Sequence, residues 1–591
     1  MFDLVIEGAS VLDGTGVAAY TADVAITDGT IREVGRVGGR AQKRLSAQGA
    51  WLTPGFVDLH THYDGQASWD ETFNPSIQHG VTTLVFGNCG VGFAPLAPGD
   101  RQRAVDGLIS LMEGVEEIPG AALAEGVSFD WQSFPQYMAA LERVPHSLDF
   151  LVQVPHDPLR MAVMGERALA QQAATADDIA AMQALLREAL QAGAAGFSTG
   201  RTDNHRTTAG LATPASEAAA TELAGIARAF HGLDHGVVQV VSDFNLLHGP
   251  EGFANEFDLV EILARESGKP LSMTWLQRDP GDEQWRAIRA RTEDAVARGL
   301  PLSLQASPRG IGLILGLDTT FHPLMGFPGY IEVANLPLAE QAAALRDSVR
   351  KTRILAEKSG RLAGDGSSIP PLVDVLLARI EMIAARMFPL VSATATVDYE
   401  PPLSRSFYAI AQQRGCRALE AIYDFLCADE GNNLIHFPIF NYNEGSLTVA
   451  REMLTHPHAL YGLSDAGAHV GSICDASSST FMLSHWARDR AAGRLAPEQL
   501  VEMLTRRNAR HVGLVDRGVI APGMRADLNL LDPARIAPEV PKIVRDLPGG
   551  GRRLLQKSRG YIATWVAGVE VICDGEITRS RPGKLVRLRT A

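Results

Sequence analysis

Short apolar and β-branched runs near both ends of the chain predict strands. They alternate with turn residues such as Asp13-Gly14 and Asp28-Gly29, pairs that favour tight hairpins. The predicted strands are Phe2–Glu7, Ser10–Leu12, Val24–Thr27 and Thr30–Val34 at one end, and Ala526–Leu531, Tyr561–Val566 and Glu570–Cys573 at the other. Because chain ends often lie close together, residues 1–53 and 515–591 are expected to form one small composite β-sandwich domain.

Between these ends, short apolar runs alternate with longer segments of helical periodicity, which is the pattern of βα units around a parallel sheet. Eight runs are predicted as strands: Gly55–Leu59, Thr82–Phe86, Phe150–Val154, Ala195–Ser198, Val237–Val241, Leu271–Trp275, Leu302–Gln305 and Ala459–Leu463. Eight parallel strands close a barrel, so residues 54–514 predict an α/β fold, a (β/α)8 TIM-type barrel. Helices are predicted at Ala176–Ala192 and at Ser216–Phe230, with Ser216 as a candidate N-cap.

A long excursion at about residues 306–457 follows the seventh strand. It exceeds a normal βα connection, and insertions of this length commonly form lids or walls of a binding site. Its aromatic residues have two readings: they line a pocket for a bulky substrate, or they form the core of the insertion itself. The residues concerned are Phe407, Tyr408, Phe437, Phe440 and Tyr442.

Composition places the chain among globular proteins with a hydrophobic core. Hydrophobic residues make up 46% and charged residues 21% of the 591 positions, which excludes disordered, collagenous and small disulfide-rich classes. The 54 Lys and Arg against 68 Asp and Glu give a net charge of −14. No basic run accompanies this acidic balance, which argues against nucleic acid and anionic membranes as partners.

The five cysteines are scattered and include no CxxC pair, which argues against a disulfide framework. The N-terminal segment lacks the basic start and apolar core of a signal peptide, and no apolar run is long enough to cross a bilayer. We therefore expect a soluble cytoplasmic protein that acts on a small molecule. The sequence leaves the oligomeric state open, and a homo-oligomer is compatible with it.

Candidate metal ligands follow three of the predicted strands. Side chains alternate across a strand, so His60 and His62 point the same way and can bind one ion together. Asp465, after strand eight, can ligate that ion and take a proton from water, or it can be the N-cap of the next helix. Cys89, after strand two and near glycines, is either a thiolate ligand or a small buried hydrophobe.

Together with these residues, several longer motifs resemble the amidohydrolase superfamily, and within it the N-acyl-D-amino-acid deacylase branch. They are NCGVGFAP at 88–95, VPHDPLR at 154–160, VMG at 163–165, GFSTG at 196–200 and GVIAPGMRADL at 518–528. The resemblance implies a barrel with a small β-sandwich and a zinc-type hydrolase of amide bonds, with Mn or Fe as alternative metals. It also implies that the metal ligands are His60, His62, Cys89 and Asp465, with Asp465 also the general acid/base.

The chain departs from that branch at strands five and six. The metal-binding histidines expected there are absent from 239–243 (QVVSD) and 271–275 (LSMTW), as is a nearby lysine that helps hold a substrate carboxylate. Trp275 at a ligand position predicts a more apolar pocket wall.

Other polar residues after the strands are candidates for completing the site. His156 is a candidate for contacting the substrate or a reaction oxyanion, with a structural hydrogen bond as the alternative. His205 is a candidate for ligand or substrate contact, while Asp64 and Asn88 are expected beside the substrate site, orienting the ligands. Asp243 is a further candidate ligand, and His469 is a further candidate for the site, with a polar contact at the start of a helix as the alternative.

The sequence therefore predicts a metal-dependent amide hydrolase, most simply of an N-acyl amino acid, with one or two divalent ions. Two alternatives stay open. The enzyme could cleave another amide, such as an aryl or cyclic amide. The barrel could instead be degenerate and bind a ligand without turnover, which the two missing histidines motivate.

Overall fold

The computed structural model describes residues 1–278, 283–362, 371–392 and 395–589. Strands from both ends of the chain form one nine-stranded sheet, which confirms the predicted β-domain. Leu528–Leu531 joins the two ends, because it pairs antiparallel with Trp51–Pro54 on one side and with Tyr561–Val566 on the other. The other strands of the sheet are Phe2–Val11, Tyr20–Thr27, Thr30–Gly35, Ala41–Ser46, Val569–Cys573 and Glu576–Ile577.

The middle of the chain forms an eight-stranded parallel sheet that curls into a nearly closed barrel. Its strands are β1 (Phe56–Asp58), β2 (Val81–Phe86), β3 (Asp149–Pro155), β4 (Gly196–Arg201), β5 (Val237–Ser242), β6 (Leu271–Thr274), β7 (Leu302–Ala306) and β8 (Ala459–Tyr461). Seven of the strands are buried at every position, because both faces of such a sheet are covered. The predicted (β/α)8 barrel is confirmed.

Strands β1 and β8 meet at a seam that is closed by isolated contacts. Thr61 and Ala466, just beyond the two strands, form a single parallel bridge. The buried side-chain amide of Asn508 donates to the carbonyl oxygens of Val57 (2.8 Å) and Tyr461 (2.9 Å). A side chain from a later helix thus links the first strand to the last.

Helices fill the connections between the barrel strands. The α-helices are Arg101–Glu116, Gly120–Gly126 and Phe134–Glu142 after β2; His156–Met164, Glu166–Leu169 and Ala176–Gln191 after β3; Ala220–Ala227 after β4; Gly249–Ser267 after β5; and Gln284–Ala297 after β6. Short 3-10 turns lie at Gln66–Ser68, Ser76–His79, Arg228–Phe230 and Leu246–His248.

The predicted N-cap at Ser216 is wrong. The helix begins at Ala220, and its N-cap position is Ala219, which offers no side-chain acceptor. The Ser216 hydroxyl instead donates to the Thr213 carbonyl within a turn, since serine readily bonds to nearby backbone outside helices.

The insertion after β7 is a small unit with its own apolar core, built around residues such as Leu315, Leu345, Ile422 and Leu426. Its strands are Gly312–Leu315, Phe388–Pro389 and Ile435–Pro438, which form a three-stranded sheet. Its α-helices are Pro328–Ile331, Leu338–Leu345, Ser348–Ala356, Pro371–Ala378, Ile380–Ile383, Phe407–Arg414, Ala418–Cys427 and Thr448–Leu454, and its 3-10 turns are Ala384–Arg386, Leu403–Arg405 and Asp429–Gly431.

After β8 the chain forms short helical segments and then returns to the β-domain. The segments are Asp475–Ser477, Ser478–Phe481, Met482–Asp489, Pro497–Glu502, Met503–Arg507 and Asn508–His511. A hairpin of Lys542–Leu547 and Gly551–Leu555 reaches back to the barrel, where the Leu554 amide donates to the Val470 carbonyl (2.7 Å). Ala537–Pro538 pairs with Ser558–Arg559, and 3-10 turn Pro548–Gly550 completes the hairpin.

Among the described residues, we find no helix that combines the length and the apolar character of a membrane span.

Candidate metal centre and active site

Three of the predicted ligands converge beyond β1 and β2. One ligand atom from each of His60, His62 and Cys89 lies within 4.8 Å of the others. The Cys89 Sγ lies 3.2 Å from the His60 Nε2 and 3.9 Å from the His62 Nε2. All three side chains are buried, so these donors face one another away from bulk water.

Asp465, beyond β8, brings a carboxylate oxygen to the same point. Its Oδ1 lies 3.3 Å from the His60 Nε2 and 3.8 Å from the His62 Nε2. Its backbone amide donates to the His60 carbonyl (3.1 Å), which ties the ends of β1 and β8 together. The four donors are therefore two imidazoles, one thiol and one carboxylate.

The backbone around these donors is strained. Cys89 (φ 57°), Leu463 (φ 61°), Asp465 (φ 44°) and His469 (φ 47°) all adopt left-handed conformations, which non-glycine residues rarely do. Such residues cluster at functional sites, where the surrounding structure holds a costly conformation. The strain supports a functional role for this end of the barrel.

A hydrogen-bonded glutamine orients His60. The His60 Nδ1 lies 2.6 Å from the Gln305 Oε1, which can only accept, so Nδ1 carries the proton and Nε2 presents its lone pair. Gln305 in turn donates from Nε2 to the Ser272 hydroxyl (2.9 Å). No sequence signal singled out Gln305, because a glutamine on a buried strand matches no ligand motif.

Glu116, the last residue of the helix Arg101–Glu116, lies against His62. The His62 Nδ1 lies 3.2 Å from the Glu116 Oε1, and burial raises the pKa of Glu116 to about 8. Burial also lowers the pKa of His62 well below its usual value, with help from neighbouring His60. His62 is therefore a neutral imidazole at pH 7, the form that binds metals.

His469 lies between two glutamates: its Nε2 is 3.7 Å from the Glu116 Oε2, and its Nδ1 is 3.5 Å from the Glu117 Oε2. Burial lowers the pKa of His469, but the two carboxylates outweigh it and raise the pKa to about 9. Burial likewise raises the pKa of Glu117, but its contacts with His469 and the Ser472 hydroxyl lower it overall. The sequence offered His469 as a candidate and missed both glutamates, which lie in a helical segment rather than directly after a strand.

These residues line a cavity of about 500 Å³ at the C-terminal mouth of the barrel, where barrel enzymes carry their chemistry. His60, His62, Cys89, Asp465 and His469 all face it. A larger depression of about 690 Å³ lies among residues 532–576 of the C-terminal part, but it contains none of the candidate residues. The barrel cavity is therefore the candidate active site.

Residues 45–577 match a family model described as the amidohydrolase family. The chain belongs to this family. The prediction of a hydrolase that acts on carbon–nitrogen bonds other than peptide bonds is confirmed.

The relatives of this amidohydrolase include deacylases. It is 26% identical to D-aminoacylase from Alcaligenes xylosoxydans xylosoxydans over 545 residues, which cover 91% of this chain and 89% of that protein. A solved D-aminoacylase with a binuclear metal center is 24% identical, with a TM-score of 0.64 and full coverage of both chains. An N-acyl-D-glutamate deacylase from Bordetella bronchiseptica, complexed with zinc and a phosphonate inhibitor, is 24% identical with a TM-score of 0.62, covering 99% of this chain and 100% of that chain. The expected D-aminoacylase branch is confirmed.

The structure does not bring His156 of this amidohydrolase to the cavity. Its buried ring lies 2.9 Å from the Thr199 hydroxyl through Nδ1 and 3.1 Å from the Glu222 carboxylate through Nε2. Both ring nitrogens are thus occupied by partners that lie outside the cavity lining. This geometry matches the structural hydrogen bond that was the alternative for His156.

Asn88 and Asp64 also lie outside the cavity lining. The Asn88 amide nitrogen donates to the carbonyl oxygens of Leu59, Thr61 and Val85, which ties the end of β1 to β2. The buried Asp64 carboxylate accepts from the Gly87 amide (3.3 Å), and burial raises its pKa to about 7. Both residues brace the turns that carry the ligands instead of facing a substrate.

His205 lines the cavity, as the sequence suggested. Its Nδ1 is buried and has no hydrogen-bond partner among the described residues. Burial lowers its pKa to about 3, so its imidazole is neutral at pH 7.

Trp275 does not line the cavity, so the prediction that this residue makes the pocket wall more apolar is wrong. Thr274 faces the cavity, and side chains alternate along a strand, so the next residue points outward. The Trp275 indole packs against Trp285 and donates to its carbonyl (2.8 Å). Asp243 also lies outside the cavity lining, because its carboxylate accepts from the Asp203 and Asn245 amides in loops.

Of the five aromatic residues singled out in the insertion, Phe440 alone lines the cavity. Phe407, Phe437 and Tyr442 are buried, and Tyr408 is 49% exposed. The reading as a core of the insertion thus holds for Phe407 and Phe437, which belong to its apolar cluster.

Proposed function

We propose that this amidohydrolase cleaves the amide bond of N-acyl amino acids and uses one divalent ion, zinc being the first candidate. The substrate class follows from the relatives, which include D-aminoacylase and an N-acyl-D-glutamate deacylase. The D configuration is therefore the first to test. The convergence of four donor atoms in a cavity at the barrel mouth is the observation that carries the proposal.

The donor set fits a divalent ion such as zinc. Zinc prefers imidazole nitrogen, thiolate and carboxylate ligands in a four-coordinate site, and these are the groups present. His60 presents Nε2 because Gln305 occupies its other nitrogen, as is usual for metal-binding histidines. Strands β5 and β6 offer Ser242 and Thr274 at their ends in place of histidines, which supports one ion rather than two.

A bound divalent ion would polarise the scissile carbonyl, acidify a water molecule and deprotonate the Cys89 thiol. Without an ion the Cys89 thiol stays protonated, because burial and the nearby carboxylates of Glu116 and Asp465 raise its pKa well above the usual value. Asp465 lines the cavity and offers a carboxylate beside the reacting groups. Its role is to accept the proton of the attacking water and return it to the leaving nitrogen.

The first test replaces this carboxylate. Asp465→Asn removes the proton acceptor at nearly constant volume, so turnover should fall at least about 1000-fold while the fold stays intact. Turnover is measured on a panel of N-acetyl-D-amino acids, their L-enantiomers, aryl amides and cyclic amides. Asp243→Asn is the matched control, an aspartate after β5 that lies outside the cavity, and it should retain activity. Activity only on aryl or cyclic amides would reject the deacylase assignment.

The second measurement is the metal content of the purified protein. We expect about one equivalent of zinc, manganese or iron per chain, since the four donors suit one ion. The variant His60→Ala should lose most of it. Less than about half an equivalent, with no gain of activity on adding metal, would instead support a non-catalytic barrel.

A further inference from the structure

Arg278 follows β6 and lines the same cavity as the candidate ligands. Its side chain is nevertheless buried, with 5% of the residue exposed. The Nη2 donates to the carbonyl of Ser242 at the end of β5 (2.9 Å). Asn441, in the insertion, anchors the preceding residue by exchanging hydrogen bonds with the Gln277 backbone. The guanidinium is therefore held at a defined point on the cavity wall.

Two of its nitrogens are free to bind a ligand. Among the residues that the structure describes, neither the Nε nor the Nη1 of Arg278 has a hydrogen-bond partner, and no carboxylate lies within ion-pair distance of the guanidinium. The guanidinium lies over the Phe440 ring (5.8 Å to the centroid), and Asp243 is near enough to favour its charge. Burial lowers its pKa to about 10, which leaves it charged at pH 7. A buried charge that forms no ion pair is costly, so a site that keeps one gains from an anionic ligand.

The second arginine of the cavity differs in this respect. Arg206 pairs with the Asp203 carboxylate (3.3 Å) and donates to its carbonyl oxygen (3.0 Å). The neutral His205 adds no charge. Among the described cavity residues, Arg278 is thus the guanidinium that is buried and forms no ion pair.

We propose that Arg278 binds the free carboxylate of the substrate, and that the preferred substrates carry one carboxylate and an apolar side chain. Hydrogen bonds from a guanidinium to a carboxylate are charge-assisted, which gives both affinity and orientation. The metal ligands follow β1, β2 and β8, whereas Arg278 contacts the end of β5, across the barrel. A substrate is thereby held at its carboxylate while its amide lies at the opposite wall.

One part of the cavity wall is apolar, and this part is the basis of the second half of the proposal. It consists of Val241, Leu276, Ile311, Leu313, Phe440 and Ile473. A second carboxylate, as in an N-acyl glutamate, would lie against this surface without a cation of its own. An aliphatic or aromatic side chain would instead bury apolar area there.

The proposal rests on the proposed function, and the test separates the two. Equilibrium binding of N-acetyl-D-leucine and N-acetyl-D-leucinamide is measured by calorimetry in an Asp465→Asn background, with Arg278 intact and with Arg278→Met. The acid should bind more tightly than the amide by about 10- to 100-fold with Arg278 present, as expected for a charge-assisted contact. Arg278→Met should reduce this ratio to about one, and Arg278→Lys should leave it in between.

Control measurements show whether a lower acid-to-amide binding ratio is due to Arg278 itself. Arg206→Met, the partnered arginine of the same cavity, should change the acid-to-amide ratio by less than about threefold. N-acetyl-D-glutamate should bind more weakly than N-acetyl-D-leucine to the protein with Arg278 intact. The role of Arg278 is overturned if Arg278→Met leaves the acid-to-amide binding ratio unchanged, or if Arg206→Met lowers that ratio equally. This holds even when the enzyme that retains Asp465 hydrolyses N-acyl amino acids. If that enzyme hydrolyses none of them, the proposed function itself fails.

Discussion

At the candidate centre, His60 is oriented by a side chain that is not itself a ligand. Gln305 accepts from the His60 Nδ1 and is held by the Ser272 hydroxyl, so a chain of hydrogen bonds across β6 and β7 sets which nitrogen faces Cys89. Such partners of metal-binding histidines contribute strongly to metal affinity, because they set the tautomer and the ring orientation.

We therefore predict that Gln305→Leu weakens metal binding about 10- to 100-fold and that excess metal restores activity. The leucine keeps the volume of the barrel interior but leaves the His60 Nδ1 proton without an acceptor. Metal affinity is measured by competition with a chelator of known affinity. The control is Gln341→Leu, at a buried glutamine of the insertion that donates to the Tyr330 hydroxyl (3.2 Å), and this variant should keep its metal affinity. Equal losses in both variants would contradict a specific role for Gln305.

At the scale of elements, one carboxylate joins the insertion to the helix that follows β8. Glu400 accepts two hydrogen bonds from Arg490 (both 2.9 Å), one from His485 (2.7 Å) and one from the Leu447 amide (2.9 Å). Burial raises the pKa of Glu400, but these donors outweigh it and lower the pKa to about 2. The junction therefore depends on an ionised carboxylate.

Glu400→Gln should destabilise the protein by about 1–2 kcal/mol at pH 7, allowing for solvent screening. A carboxyl group whose pKa is lowered on folding adds stability above its unfolded value near 4.5, and this stability is lost as the pH falls toward 2. The difference between wild type and variant should thus be constant from pH 7 to 5.5 and shrink below about pH 4.5. Thermal unfolding across this pH range measures it.

The control for this variant is Glu332→Gln. Glu332 pairs with Arg350 and Arg353 on the exposed surface of the insertion, where ion pairs contribute little. Its melting temperature should stay close to that of wild type at every pH. A difference for Glu400→Gln that grows on acidification would reject the assigned ionisation.

At the scale of the whole molecule, the barrel is closed by side chains from distant parts of the sequence. Asn508 bridges the carbonyls of Val57 and Tyr461 at the seam between β1 and β8. Below the barrel, Arg517 donates to Asp149 at the start of β3 (2.8 Å), and Arg525 contacts the same carboxylate (2.9 Å). The segment that leads from the barrel into the β-domain therefore also binds the N-terminal end of β3.

We predict that Asn508→Leu destabilises the protein by about 2–3 kcal/mol, because two buried carbonyl oxygens lose their donor. Since the seam carries His60 on one side and Asp465 on the other, activity should fall as well. The loss of stability is measured by calorimetric melting and by resistance to a protease. Asn432→Leu, at an exposed asparagine that donates to the Asp429 carbonyl (2.9 Å), should leave both nearly unchanged. Unaltered melting of Asn508→Leu would show that the seam does not depend on this bridge.

Much of the fold was predictable because its signals are local. The barrel strands are apolar runs, and the structure places all eight within a few residues of the predicted positions. His60, His62, Cys89 and Asp465 directly follow such strands, and parallel strands bring their ends to one side of a barrel. For residues that directly follow a strand, the sequence could therefore predict that their side chains lie close together.

The amino-acid sequence was enough to predict the parallel barrel strands, the β-domain built from both ends and the convergence of four candidate donors. The fold was needed to show that Gln305 and Glu116 contact His60 and His62, and that Arg278 lines the cavity. It also showed that His156 is occupied by Glu222 and that Trp275 points outward. These outcomes depend on contacts between residues far apart in the chain and on which polar groups find partners once they are buried. Local periodicity carries no information about such contacts, because the burial and pairing of a side chain are set by elements elsewhere in the fold.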